Sequence, residues 1–138
     1  MAVWKPIYLF LMLLITYVVS INVNAASMSD EEMTKLFIGS WTPDSKDKVS
    51  SYGIGEYKID GTFEFILFQT SECKIPTMRG EGNWIIRNGN LIISSGNVPP
   101  SKAIIDKVIS ITSSEMVLKS ADGDLQYRIK SNRCLKKY

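Results

Sequence analysis

The sequence predicts an all-β protein: an eight-stranded antiparallel up-and-down barrel with a short N-terminal helix. Short apolar runs recur between residues 52 and 133, and Gly-containing turn pairs separate them. Asn-Gly and Asp-Gly pairs adopt positive φ easily, as two-residue hairpin turns require. Eight strands in a meander favour closure over an open sandwich, because closure removes the exposed sheet edges. The turn pairs are Asp60-Gly61, Asn88-Gly89 and Asp122-Gly123.

Residues 1–25 have the pattern of a secretory signal peptide. Lys5 precedes an apolar stretch, and Val23 and Ala25 occupy the −3 and −1 positions of a cut after Ala25. An uncleaved membrane anchor is the alternative, because neighbouring residues could extend the stretch to the roughly 18 residues that a span requires. We therefore expect residues 26–138 to form one domain, which is periplasmic or secreted after cleavage and no longer attached to the membrane.

Composition excludes several classes of function. The 16 basic and 14 acidic residues nearly balance, which argues against a nucleic-acid-binding protein. Histidine is absent, so neither a serine–histidine relay nor a histidine metal cluster can form. Two pairs of carboxylates fall in expected loops, where such residues usually form turn hydrogen bonds. These pairs are Asp44 with Asp47 and Asp122 with Asp124. We expect no enzyme, no cofactor and no metal site.

The helix is expected directly after the signal peptide. Ser29 and Glu32 stand at capping-box spacing, in which each side chain bonds the backbone amide of the other. The apolar residues that follow have helical spacing, which predicts one buried stripe. These residues are Met33, Leu36 and Phe37. The first strand is expected at Gly39-Ser40-Trp41, and residues 42–49, which are polar and contain Pro43, are expected to form a loop.

Three hairpins and a final strand complete the predicted meander. Residues 70–77 and 96–100 contain prolines, which cannot donate ladder hydrogen bonds, and are expected to be loops. Charged residues interrupt one face of several strands and most strands are short, so a soluble barrel is favoured over an outer-membrane barrel. The expected hairpins pair 52–59 with 62–69, 79–87 with 90–95 and 103–112 with 115–119, and the last strand is 125–131.

Period-two alternation assigns one face of each strand to the interior. Phe63, Phe65 and Leu67 alternate with Glu64, Ile66 and Phe68, which indicates a strand that is partly covered on both faces. In the last strand, the apolar set is assigned inward and the polar set outward. The expected interior residues are Tyr57, Ile59, Phe63, Phe65, Leu67, Trp84, Ile86, Leu91, Ile93, Met116, Leu118, Tyr127 and Ile129.

Cys73 and Cys134 are the two cysteines, and both follow the signal peptide. An even count in an oxidising compartment favours a disulfide. The alternative is a catalytic thiol, but no histidine is present to act as its base.

The chain resembles the bacterial lipocalin-like domains over residues 37–133. The motifs that carry the resemblance are Gly39-Ser40-Trp41, Asp60-Gly61-Thr62-Phe63, Gly82-Asn83-Trp84, Asn88-Gly89-Asn90-Leu91 and the segment 122–128. The resemblance implies a small calyx with Trp41 at its closed end and the helix as a plug. It implies an arginine, Arg128 or Arg133, lying across Trp41 through a cation–π contact. A bridge between the middle of the barrel and the C-terminal tail is also common in that family, which suits Cys73 and Cys134.

Two functions remain open on the sequence. The first is non-catalytic binding of a small apolar or amphipathic ligand inside the barrel. The expected ligand-binding residues are Tyr57, Phe63, Phe65, Leu67, Trp84, Ile86, Met116 and Tyr127.

The second function is binding of an envelope or extracellular protein through loops 42–51 and 70–78. In this case the barrel is a scaffold with a filled interior. The short strands favour a filled interior, because side chains can just occupy an eight-stranded barrel. The expected contact residues are Lys46, Lys48, Lys74 and Arg79.

Overall fold

The structure is a computed structural model, and it describes residues 25–47, 52–96 and 102–134. The expected signal peptide lies outside these ranges except for Ala25, and Lys48 also lies outside them. Among the residues in these ranges, no helix has both the length and the apolar character needed to cross a membrane.

Eight antiparallel strands form a closed barrel in sequence order, as predicted. Each strand pairs with the next, and β8 returns to pair with β1. The register at this closure joins Trp41 to Lys130 and Pro43 to Arg128. The strands are β1 (Gly39–Pro43), β2 (Tyr52–Tyr57), β3 (Thr62–Phe68), β4 (Pro76–Arg87), β5 (Asn90–Ser95), β6 (Ile104–Ile111), β7 (Glu115–Lys119) and β8 (Leu125–Lys130).

Two loop predictions are wrong at their ends. Thr42 and Pro43 belong to β1, and Pro76 and Thr77 begin β4. Thr42 is 1% exposed, and its Oγ1 donates a hydrogen bond to the Gly53 carbonyl at 3.1 Å. Polar residues and prolines are tolerated here because each proline stands at the end of its strand, where only one ladder donor is lost.

Helix α1 (Asp30–Phe37) closes one end of the barrel, and the capping box between Ser29 and Glu32 is confirmed. Met33 and Phe37 are buried, and the Phe37 ring lies 5.0 Å from Trp84 and 4.5 Å from Tyr57, centroid to centroid. Because residues four apart lie on one face of a helix, Met33 and Phe37 both pack into this end of the barrel. A short 3₁₀ helix (Ala25–Ser27) precedes α1.

A second apolar cluster lies on the outer face of β2 and β3. The predicted disulfide between Cys73 and Cys134 is present, with 5.7 Å between the Cα atoms, and packs against Ile54 and Phe68. Arg133 donates a hydrogen bond to the Ser71 carbonyl beside it. Phe68 therefore faces outward yet is buried, which confirms that β3 is covered on both faces at this end.

Candidate functional site

The barrel encloses an open cavity of about 740 Å³. The prediction that the interior would be filled is wrong. The rings of Tyr57 and Phe65 lie against the barrel wall rather than across it. A Cβ added at Gly55 would meet the Tyr57 ring at 3.0 Å, and one at Gly80 would clash with the Phe65 ring. The glycines thus let large rings lie flat, because they have no side chain to hold the rings away from the backbone.

Most of the expected ligand-binding residues line this cavity. Trp84 and Ile86 lie instead in the buried core beside α1. Of the wider interior set, Leu91, Ile93 and Leu118 line the cavity, whereas Ile59 is 86% exposed in the turn after β2. The expected residues on the cavity wall are Tyr57, Phe63, Phe65, Leu67 and Met116.

The predicted facing of β8 is wrong. Gln126 and Arg128 line the cavity, whereas Tyr127 and Ile129 do not. The register explains this, because Arg128 pairs with Met116 and directly opposed residues share a face of the sheet. Period-two alternation separates the two faces of β8 without showing which of them points inward. An open cavity accommodates long polar side chains on its wall.

Arg128 is a cation of the cavity wall whose charge is paired. Its guanidinium donates to the Asp47 carboxylate, and Nη2 donates to Gln126 Oε1 at 2.9 Å. A third, longer hydrogen bond runs from Nη1 to the Tyr127 carbonyl at 3.4 Å. The side chains of Arg128 and Asp47 are only 22% and 11% exposed, so the pair neutralises charge in a sheltered place.

Asp106 on β6 is the functional candidate that the sequence prediction missed. It is 6% exposed and lies on the cavity wall opposite Leu91 of β5. Its carboxylate makes no hydrogen bond or ion pair with any residue that the structure describes. Burial raises the pKa of Asp106, and the positive charge of Arg128 opposes that rise. The sequence did contain a pattern that could have indicated this residue. Ile104, Asp106 and Val108 lie on one face of the strand by alternation, and Asp106 is a charged residue between two apolar ones.

Tyr57 completes the polar part of the cavity. Burial among apolar side chains raises the pKa of its phenol to about 12, with a smaller rise from the charge of Asp106 and an opposing effect of Arg128. The mutual influence of these three groups places them in one electrostatic neighbourhood. A phenol with this pKa stays neutral and can donate or accept a hydrogen bond at physiological pH.

The cation over Trp41 is a lysine rather than the expected arginine. Lys130 Nζ lies 5.0 Å from the Trp41 ring centroid and donates to the Leu36 carbonyl at 2.9 Å. Arg133 lies over Tyr52 instead, at 6.0 Å. The cross-strand register causes the difference, because it places Lys130 directly opposite Trp41. Burial lowers the pKa of Lys130.

The basic residues expected to contact a protein partner have local acidic neighbours. Lys46 Nζ lies 3.8 Å from an Asp44 carboxylate oxygen, and Lys74 forms an ion pair with Glu72. Arg79 is an exposed residue of β4 rather than of a loop.

Comparison with known protein families and with curated proteins finds no match. Within the described ranges, no three potential metal-ligating side chains come together. The candidate site is therefore interpreted from its own geometry: a mostly apolar cavity with a small polar group at Tyr57, Asp106 and Arg128.

Proposed function

We propose that this protein is a non-catalytic, lipocalin-like carrier of a small amphipathic molecule. The observation that carries the proposal is the open cavity of about 740 Å³ inside the barrel. Pockets for small organic ligands typically measure roughly 300 to 1,000 Å³ and combine apolar walls with a few polar groups. The walls formed by Phe63, Phe65 and Leu91 match the apolar part of such a ligand, and Asp106 and Tyr57 match its polar end.

Carriage rather than catalysis is supported by the chemistry of the polar group. Arg128 is already bonded to Asp47, and the chain has no histidine to act as a base near neutral pH. The disulfide between Cys73 and Cys134 supports a place of action in the periplasm or outside the cell, where such bonds persist.

A cavity-blocking variant tests the proposal. Ser95 lines the cavity, whereas Ser94 precedes it on the same strand and faces outward by alternation. The Ser95→Trp variant should lose most of the binding of N-phenylnaphthylamine, an uncharged dye that fluoresces in apolar surroundings, because the indole occupies the cavity. The matched control, Ser94→Trp, should bind the dye as the unmodified protein does. Dye titration by fluorescence measures both.

The unmodified protein gives the decisive result on its own. If it fails to bind the dye and releases no small molecule on extraction with organic solvent, followed by mass spectrometry, the carrier function is wrong. Equal dye binding by both tryptophan variants would show instead that the dye binds outside the barrel.

A further inference from the structure

The polar groups of the cavity differ in whether they have hydrogen-bond partners within the protein. The guanidinium of Arg128 already donates to Asp47, Gln126 and the Tyr127 carbonyl. The Asp106 carboxylate lies on the same cavity wall and accepts no hydrogen bond from the described part of the chain. No buried side-chain oxygen or nitrogen of the described residues lacks a hydrogen-bond partner, so the Asp106 oxygens still reach the solvent of the open cavity. A sheltered carboxylate without a protein donor gains when a ligand supplies one. The unmet requirement of this cavity is therefore for a hydrogen-bond donor.

The charges around Asp106 point the same way. Asp106 is the single acidic residue among the described residues that line the cavity. The charge of Arg128 acts on it more strongly than that of Asp122, an exposed residue of the β7–β8 turn. The positive charge of Arg128 is offset by Asp47. Lys102 is an exposed residue of the cavity wall, where water screens its charge. The sheltered part of the cavity thus carries an excess negative charge.

We propose that the ligand is an alkylamine or an arylalkylamine, whose ammonium group binds Asp106 while its apolar body lies against Phe63, Phe65 and Leu91. This inference rests on the proposed carrier function and specifies its ligand class. An ammonium supplies up to three donors and a positive charge, so it meets both requirements of the carboxylate at once. The neutral Tyr57 phenol provides an acceptor for one of the remaining donors.

A carboxylate ligand fits the same cavity poorly. The charge of Arg128 is already paired with Asp47, so a carboxylate ligand would be left with the guanidinium N–H groups that the present partners do not use. It would also place a second negative charge near Asp106, and like charges in a sheltered site repel strongly. The amine is therefore favoured over the fatty acid of the same length.

The experiment compares three probes of equal chain length on the full mature protein at neutral pH. Decylamine, decanol and decanoate are titrated in turn against protein loaded with N-phenylnaphthylamine, and displacement gives each affinity. Decylamine should bind roughly tenfold or more tightly than decanoate, with decanol between them, because a sheltered charge-assisted contact separates the two ions. This ranking is measured on the unmodified protein, so it needs no variant to fold.

Two variants then test whether Asp106 causes the preference for decylamine. Asp106→Asn should lose most of the preference for decylamine, whereas Glu81→Gln, which removes an exposed carboxylate on β4, should keep it. Decanoate binding as tightly as decylamine, decanol equalling decylamine, or an unchanged preference in Asp106→Asn would each overturn the amine assignment. In all three cases the dye still binds, so the carrier function stands. A protein that neither binds the dye nor releases a small molecule on extraction would remove that function itself.

Discussion

We expect the Asp106 carboxylate to oppose folding at neutral pH. The carboxylate is sheltered from water, and burial is the largest influence on its pKa, which lies above the ordinary value of 3.8. A buried charge without donors is retained in proteins mainly where it serves binding or catalysis. The residue that we assign to ligand recognition is thus also one that the fold would be more stable without.

Replacement of Asp106 by Asn should therefore stabilise the empty protein at neutral pH. Because the folded-state pKa is raised, folding favours the protonated acid, and the stability of the unmodified protein falls as pH rises through that pKa. Asn does not titrate, so the advantage of the variant should shrink as the pH is lowered toward about 3. Thermal unfolding of both proteins across this range measures the effect.

The groups whose charges act on Asp106, Arg128 and Asp122, are common to both proteins, and Asp106 in turn acts on Tyr57. Glu81→Gln serves as the control for removal of one negative charge, and it should change the melting temperature little at any pH in the range. An Asp106→Asn protein that is less stable than the original at neutral pH would show that the carboxylate has a stabilising partner.

At the residue scale, the sequence predicted the apolar residues of the cavity wall better than the polar residues. Phe63, Phe65 and Leu67 were found because strict alternation marks the face of a strand. The positions of Asp106 and Tyr127 were not predicted correctly. Hydrophobicity distinguishes the inner face of a strand from the outer face only when the inner face is packed and the outer face meets water. In this barrel the inner face meets an open cavity, so β8 turns its polar side chains inward.

The docking of α1 onto the barrel depends on one carboxylate. Asp30, in the first turn, accepts hydrogen bonds from the backbone amides of Asn88 at 2.7 Å and Gly89 at 2.9 Å. These amides lie in the tight β4–β5 turn, where both residues have positive φ and the ladder leaves the donors unused. The helix is thus fixed at its start by polar contacts and along its length by Met33 and Phe37.

Asp30→Ala should lower the free energy of unfolding by about 1 to 3 kcal/mol, because two hydrogen bonds to a charged acceptor are lost and the turn amides are left without a protein partner. Glu31→Ala is the matched control. It removes a carboxylate from the same helical turn, but one that is exposed and pairs only with Lys35 four residues later. Urea titration followed by tryptophan fluorescence compares them, and equal losses would contradict the tethering role of Asp30.

Elements were the most predictable level of this structure. Gly61, Asn88, Gly89 and Gly123 all have the positive φ that their turn pairs indicated. The errors fall at proline-containing ends, as at Pro43, because a proline marks the end of a strand without saying on which side of it the pairing stops.

For the whole molecule, the disulfide fastens the C-terminal tail to the outside of the barrel. Cys73 and Cys134 are 61 residues apart in sequence, and both are buried with Ile54 and Phe68. Cys73, Cys134 and Phe68 do not line the cavity, whereas Ile54 does. The bridge is therefore in contact with the cavity wall through Ile54 but is not part of that wall.

Replacing both cysteines by serine should lower the free energy of unfolding by about 3 to 4.5 kcal/mol, chiefly because the unfolded chain gains freedom when a loop of this length is opened. Urea titration measures the loss, and thiol titration of the unfolded, unreduced original should find no free sulfhydryl. At temperatures where the double variant stays folded, its affinity for N-phenylnaphthylamine should be unchanged. A weakened affinity would show that the bridge supports the cavity after all.

The pairing of β1 with β8 has a consequence for how this protein matures. Arg128, on the cavity wall, belongs to the last strand, and its partner Asp47 follows the first. The proposed ligand site is therefore incomplete until β8 pairs with β1, and a chain that has not closed its barrel does not contain it. Until then the first strand keeps an open edge, which is the kind of surface that chaperones shield. On the proposed function, a ligand should bind only after closure and should then stabilise the closed barrel by mass action.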